Sequence, residues 1–561
     1  MLRKSFVSSF LLLGLTSSPA MAAAGEGAPA IDRHQQVDAL LAPWSGRDSP
    51  GCAVGISRDG ALDYARGYGM ANLEYDVPIT PQSNFHTASI SKQFIAFAIG
   101  LLAQEGKLSL DDDIRKHLPE MPDHGKTITV AHLIHHTNGL REQGQLLNLA
   151  GWRGDDLYTD ADILWVLTRQ RGVNFAPGTE IVYGNAAYTL LAVIVRRVSG
   201  KPLRAFADER IFKPLGMTDT HFRDDHKEVV PQRASAYSIR EGGGWRISVP
   251  HNDGSTSLLT TVGDLLKWEQ NLLDGRVGGK KLVAWLQTSG KLNDGTATTY
   301  GGGLHLADYR GLRMVSHDGM DAGYRTDALL FPDHRLAIVA LCNGSTIDPS
   351  ALTRKAADLY LSKHMKDVMP PAVKLPEAQL SALAGNYWSP LTDEVVRLEF
   401  KDGALRQVGV PTAFVHTGNG SFRPGESMHV WRFSKPAAGA PRELSIRDVW
   451  PTTRDFVRVS APMPTASALA AFVGQYRGDE VDMTYTVRVA DGRLAIRWPR
   501  RDEVVLDAVG GDRFAGSLGT VTFTRAASGD IDGLTISNRR LRRLRAERLV
   551  KAEVPRAAGA H

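Results

Sequence analysis

At 561 residues the chain is longer than one hydrophobic core usually organises, and two or three domains are expected. A composition of 43% hydrophobic and 23% charged residues excludes disordered and fibrous classes. A net charge of only +5 gives no case for a nucleic-acid partner.

The first 22 residues read as a secretory signal peptide. Arg3 and Lys4 are basic, Phe10 to Leu15 is a short apolar run, and Ala20-Met21-Ala22 is a small-x-small cleavage site. The expectation is cleavage after Ala22 and a periplasmic or secreted protein, with no membrane span in the remainder. Residues 33–366 mix strands and helices. Cys52 to Ile56 reads as a strand followed by an Asp59-Gly60 turn. Apolar helices are expected from Phe94 to Ala103, closed by Gly106, and from Ala186 to Val198, closed by Gly200. A buried strand is expected from Leu336 to Leu341.

Residues 367–379 hold three prolines, Pro370, Pro371 and Pro376, and read as an extended linker. Beyond it the pattern changes to short alternating strands, and it repeats. Gly385-Asn386-Tyr387 recurs as Gly474-Gln475-Tyr476, and Asp402-Gly403 as Asp491-Gly492, both 89 residues later. Leu444-Ser445-Ile446 recurs 90 residues later as Leu534-Thr535-Ile536. Two units of small-barrel size, 380–460 and 466–551, are expected. The basic run Arg539 to Arg548 is interleaved with leucines and reads as a solvated last strand rather than a polyanion-binding tail.

Three short motifs carry chemistry. Ser89-Ile90-Ser91-Lys92 lies at a helix start, where positions i and i+3 share a face, so the Lys92 amine sits beside the Ser89 hydroxyl and can activate it. Tyr183-Gly184-Asn185 places a tyrosine and an amide before a second helix. A tyrosine beside a lysine can be held as phenolate and act as base, and Asn185 can orient Lys92 and a substrate carbonyl. In His317-Asp318-Gly319-Met320, Gly319 permits close approach of a strand, and the Met320 N–H is placed to pair with that of Ser89 as an oxyanion hole. His132, His135 and His136 raise the alternative of a metal site, but no carboxylate is suitably spaced, and no metal or cofactor is expected.

Ser-x-x-Lys, Tyr-x-Asn and His-x-Gly in this order resemble the serine β-lactamase and penicillin-binding superfamily, in its class C-like branch. Flanking segments agree, among them Leu133 to Leu140, Pro214 to Thr220 and Tyr300-Gly301-Gly302-Gly303. The resemblance implies an α+β fold: a β-lactamase/transpeptidase-like catalytic domain, an antiparallel sheet flanked by helices, followed by two small antiparallel β-barrels. It also implies an acyl-enzyme on Ser89, a base role shared by Lys92 and Tyr183, and His317 where many relatives carry lysine. In such a fold the first strand and the one after the His-x-Gly strand are neighbours, which brings Cys52 and Cys342 close; whether they bridge stays open.

The departures bear on substrate. Relatives that hold a carboxylate show Lys-Thr-Gly followed by Ser or Thr, and here the hydroxyls are missing. Asp318 would repel an anion if it faced the cleft, or else it points into the sheet. The plan resembles bacterial D-aminopeptidases, in which a loop of the last barrel reaches the active-site mouth and restricts it to short substrates with a free amine. The first expectation is therefore an amidase of that kind acting on a small molecule or short peptide. An esterase is the alternative, with a DD-peptidase or β-lactamase below it and a non-catalytic binding protein last.

Overall fold

In the computed structural model the described residues are 32–250, 254–366, 370–425, 429–435, 442–447, 452–460 and 464–549. The expected signal peptide, its cleavage site and the first residues of the linker lie outside them. No helix among the described residues is long and apolar enough to cross a membrane.

Six strands form one antiparallel sheet: β1 (Cys52–Arg58), β2 (Ala61–Tyr68), β3 (His305–Tyr309), β4 (Leu312–Asp321), β5 (Tyr324–Phe331) and β6 (Leu336–Cys342). Their order is β3-β4-β5-β6-β1-β2, so the two ends of this part of the chain pair with each other in mid-sheet. Asp59 and Gly60 both take positive φ, 53° and 82°, which gives the tight hairpin expected between β1 and β2. β6 is buried at every position, a run without alternation, because helices cover both faces. Helices α1 (Arg33–Leu41) and α5 (Pro349–Leu361) pack on one face. Helices α2 (Ser91–Gln104), α3 (Asn185–Ser199) and α4 (Val262–Asp274) belong to the core on the other. Gly200 ends α3 in the left-handed conformation, as its position suggested.

Cys52 and Cys342 lie directly opposite on β1 and β6 and form a disulfide. The partner strand is the second one after the His317 strand, not the first, because β5 intervenes between β4 and β6.

Glu269 on α4 and Asp327 on β5 are buried carboxyl groups whose charges face each other. Burial pushes Glu269 up to about 8, and the Asp327 carboxylate adds to the shift. Burial likewise pushes Asp327 up to about 6, against the pull of Arg354. A folded-state value above the unfolded one favours folding below the ordinary carboxyl range, and that contribution is lost as pH rises to about 8. Glu269→Gln is therefore expected to melt increasingly above the unmodified protein between pH 5 and pH 8.5, by the equivalent of about 2–4 kcal/mol at the upper end. A melting difference that stays constant over that range would contradict the assignment.

The remaining described residues form two eight-stranded units. The first spans Gly385–Trp388 to Thr453–Val459 and is nearly closed, its end strands joined only by a bridge between Arg406 and Ala413. The second, from Gly474–Gly478 to Leu541–Arg548, is a closed barrel. They are two copies of one plan. The Tyr387 hydroxyl donates to Leu383 O at 2.9 Å and the Tyr476 hydroxyl to Phe472 O at 2.7 Å. Arg458 and Arg548 donate to Ala384 O and Val473 O. The Asp402-Gly403 and Asp491-Gly492 turns both have positive φ at both residues.

The two barrels relate differently to the sheet. The first keeps a core of its own, while that of the second is continuous with the helical core. Arg141 pairs with Glu480 at 2.6 Å, both ends buried, and Arg542 pairs with Glu180 at 2.8 Å. The Tyr485 hydroxyl and the Trp498 indole donate to Leu149 O and Asn148 O. The basic last strand is thus only partly solvated, since Arg542 is buried against the catalytic half of the molecule.

Candidate active site

Ser89 sits on a single 3-10 turn, Ala88–Ile90, that runs directly into α2. The helix starts three residues before its apolar pattern because its first residues are polar yet buried, and Ser91 and the Gln93 side-chain carbonyl find partners there. Ser91 Oγ donates to Ala88 O and accepts from Leu258 N, and Gln93 accepts from the Trp268 indole. Lys92, the next position on this face, is fully buried. Its Nζ lies 3.1 Å from Ser89 Oγ, 2.8 Å from Asn185 Oδ1 and 3.3 Å from Ser255 O.

Asn185 is the first residue of α3, and Tyr183 precedes it by two. Glu142 holds this corner. Its buried carboxylate accepts from Asn185 N at 2.7 Å, and a Cβ on Gly184 would stand 2.8 Å from the same oxygen. Burial raises the Glu142 carboxyl above its usual range, while Arg540 and the Asn185 N–H pull it down. The Tyr183 ring lies under Lys92 Nζ, 5.2 Å from its centroid, and 4.4 Å from the His136 ring. Burial drives the Tyr183 hydroxyl far above the usual phenol range, and the facing Ser89 and Arg540 side chains offset this only in part. The resting form is therefore the phenol and not the phenolate expected from a neighbouring lysine, because loss of water outweighs the nearby positive charge.

β4 brings the third motif to Ser89. β3 pairs with it only as far as Ser316, so from His317 onward one edge of β4 has no strand partner and faces the Ser89 turn. A Cβ on Gly319 would collide with the Thr87 carbonyl and the Thr326 hydroxyl, which is why glycine stands there. His317 is buried; its Nε2 is 2.9 Å from the Tyr300 hydroxyl and its Nδ1 2.6 Å from Asp318 O. Burial holds its pKa well below the usual value, with His305 and Lys92 adding to the effect. It is therefore neutral and supplies no charge in place of a lysine. Asp318 does not point into the sheet: its side chain is 61% exposed and lines the cleft, as does Met320.

The cleft has a volume of about 350 Å³. Ser89, Tyr183, Asn185, His317, Asp318 and Met320 line its floor and one wall. The barrels also line the cleft, with His429, Thr452 and Arg454 from the first and Arg539, Arg540 and Arg542 from the second. An acidic cleft is thus only half of the picture, since its lining is also rich in arginine. His305, His317 and Asp318 are the one group among the described residues whose ligand atoms cluster as a metal site would, within 4.8 Å. Both His317 nitrogens already face partners, which counts against that use. His132, His135 and His136 form no such group; His135 Nδ1 faces Tyr300 O and His132 Nδ1 accepts from Thr129 N.

All eight residues singled out from the three motifs, Ser89, Lys92, Tyr183, Asn185, His317, Asp318, Gly319 and Met320, meet at this cleft or directly behind it. Glu142, Tyr300, His305 and Arg540 were not singled out. Tyr300 stands in a segment that already matched relatives, and Arg540 in the basic run, but neither carries a local signal of proximity to Ser89.

A family model described as Beta-lactamase matches residues 34–362. A D-aminopeptidase from Gluconobacter oxydans is 26% identical over 462 residues, covering 81% of this chain and 84% of that protein. Penicillin-binding protein 4* from Bacillus subtilis is 29% identical over 51% of this chain and 66% of its own length. A D-aminopeptidase from Brucella anthropi is 28% identical over 52% of this chain and 56% of its own length. Among solved structures, the octameric penicillin-binding protein homologue from Pyrococcus abyssi superposes with a TM-score of 0.56 at 22% identity, over 76% of this chain and 99% of that one.

Proposed function

The chain belongs to the Beta-lactamase family, and on that premise we propose that it is an exported serine hydrolase that removes the amino-terminal residue from short D-amino-acid amides and peptides through an acyl-enzyme on Ser89. The observation that carries the reading is the convergence on one cleft of Ser89, with the buried Lys92 amine 3.1 Å from its hydroxyl, and Tyr183, whose ring lies under the same amine. The D-aminopeptidase relatives support the substrate class.

The contacts of Lys92 suggest how the steps divide. Asn185 Oδ1 and Ser255 O are acceptors only, and two amine hydrogens satisfy them. Nζ also faces Ser89 Oγ at 3.1 Å, and in the reacting form its unprotonated amine takes the hydroxyl proton as Ser89 attacks the scissile carbonyl. The Ser89 and Met320 N–H groups stabilise the oxyanion. Tyr183, kept as a phenol by burial, gives its proton to the leaving amine. In the second half-reaction the Tyr183 phenolate takes a proton from water, which attacks the ester, and Lys92 returns the first proton to Ser89 Oγ. Both groups act as a base, one in each half-reaction. Asp318, exposed in the cleft, suits the free ammonium of such a substrate.

Export belongs to the same proposal. The Cys52–Cys342 disulfide supports it, since such bonds persist in oxidising compartments, and the secreted protein is expected to begin at Ala23.

The test is a substrate panel on purified protein: D-alanine p-nitroanilide, its L-isomer, p-nitrophenyl acetate and nitrocefin. The D-anilide is expected to be turned over with preference over the L-isomer. Turnover of the ester alone selects an esterase, turnover of nitrocefin a β-lactamase, and failure on every short D-amino-acid amide removes the aminopeptidase reading.

A further inference from the structure

We infer that Arg540, at the tip of a hairpin of the second barrel, is the residue that binds a substrate carboxylate, so that the preferred substrate is a short peptide with both ends free and not a neutral amide. The inference rests on the aminopeptidase reading and adds the other end of the substrate.

Arg539 and Arg540 form the two-residue turn between the last two strands, Ile531–Asn538 and Leu541–Arg548. The turn is anchored on both sides. Arg540 N donates to Asn538 Oδ1 at 3.0 Å, and Arg540 O accepts from Glu142 N at 3.1 Å and from Asn174 Nδ2 at 3.0 Å. Glu142 is the residue whose carboxylate caps the Asn185 corner, so one residue ties the tip of the barrel, through its backbone N–H, to the catalytic helix, through its carboxylate. With its backbone held in this way, Arg540 lays its guanidinium over the Tyr183 ring, with Cζ 5.2 Å from the centroid, at the wall of the cleft.

Charge separates Arg540 from its neighbours. Arg542 is neutralised by both oxygens of Glu180, and Arg454 by Glu394. The Arg540 guanidinium has no hydrogen bond or ion pair among the described residues; its only ring contact is the Tyr183 face. The buried Glu142 carboxyl feels the Arg540 charge but accepts its hydrogen bond from Asn185 N. A half-buried guanidinium with free donors beside the reacting serine is a site for a planar anion, and a carboxylate accepts both prongs of its fork.

The catalytic strand leaves this role open. His317 is neutral, and the Met320 side chain carries no polar group. Asp318 and Arg540 line the same cleft. A dipeptide whose scissile carbonyl sits at Ser89 has its ammonium and its carboxylate a residue apart on either side, which matches one acidic and one basic side chain in the lining. Longer peptides would carry their carboxylate past Arg540, so the same contact sets a length limit.

The test uses the full chain with Ser89→Ala, so that binding is read without turnover. Calorimetry is run with D-Ala-D-Ala and with its C-terminal amide, first on that protein and then with Arg540→Gln or Arg540→Lys added. The free acid is expected to bind about 10- to 100-fold more tightly than the amide. Arg540→Gln is expected to bring the ratio near one, and Arg540→Lys to keep part of it. Equal binding of acid and amide, or a ratio unchanged by Arg540→Gln, overturns the inference. A melting curve on each variant shows whether the barrel is still docked, and an undocked Arg540→Gln leaves the acid-to-amide ratio of the Ser89→Ala protein to decide. Turnover by the unmodified chain is measured separately. Absence of any D-amino-acid turnover counts against the proposed reaction, while the binding ratio tests Arg540 alone.

Discussion

Ser89→Ala is expected to lower kcat for D-alanine p-nitroanilide by about 10⁴- to 10⁶-fold while leaving the melting temperature nearly unchanged. The large loss follows because Ser89 is the one serine hydroxyl of the described cleft lining and has a buried amine beside it. Ser91, two residues on, is buried and committed to Ala88 O and Leu258 N. The small effect on stability follows because Ser89 is only half-buried and its hydroxyl faces the cleft. A residual rate within about 100-fold of the unmodified protein would mean that another group attacks the substrate.

Lys92→Met is the complementary case, in which activity and stability fall together. The methionine fills the volume of the lysine stem but donates no hydrogen. Asn185 Oδ1 and Ser255 O then lose a buried donor, at about 1–3 kcal/mol each. Loss of the group that accepts the Ser89 proton is expected to cost about 10³- to 10⁴-fold in kcat/KM. Measured side by side, the two variants separate the roles. Ser89→Ala is inactive and stable, and Lys92→Met is inactive and melts lower. A Lys92→Met protein that melts lower yet keeps most of its activity would move the base role to another group, with Tyr183 the first to examine.

Much of the site was legible because each motif joins a chemical requirement to a local geometry. Ser89 and Lys92 are three apart at a helix start, and the structure keeps them 3.1 Å apart for that reason. Gly319 signalled close approach, and the Thr87 carbonyl occupies the space where its Cβ would be. The barrel repeat was legible because Tyr387 and Tyr476 close the same loop in each copy. What stayed hidden depends on burial or on contacts distant in sequence. The resting protonation of Tyr183 is decided by the His136, Tyr300 and α3 residues packed round it, which no local pattern reports. Arg540 lies more than 350 residues from Tyr183, in a run whose alternation with leucine describes a barrel strand correctly and says nothing of what the turn beside it touches. The disulfide needed the sheet order, because β5 separates the His317 strand from the one that carries Cys342. The apolar pattern alone begins at Phe94, and the start of α2 at Ser91 was legible only through the Ser89–Lys92 motif, because Ser91, Lys92 and Gln93 are polar yet buried.

The central claim, that Ser89 is the nucleophile of this hydrolase, is tested most directly by titrating the purified chain with a fluorophosphonate. The modified residue is mapped by peptide mass while D-alanine p-nitroanilide turnover is followed in the same samples. The account predicts one equivalent of label on Ser89, with activity falling in proportion to labelling. Label on any other residue, or turnover undiminished once Ser89 is fully modified, would contradict it.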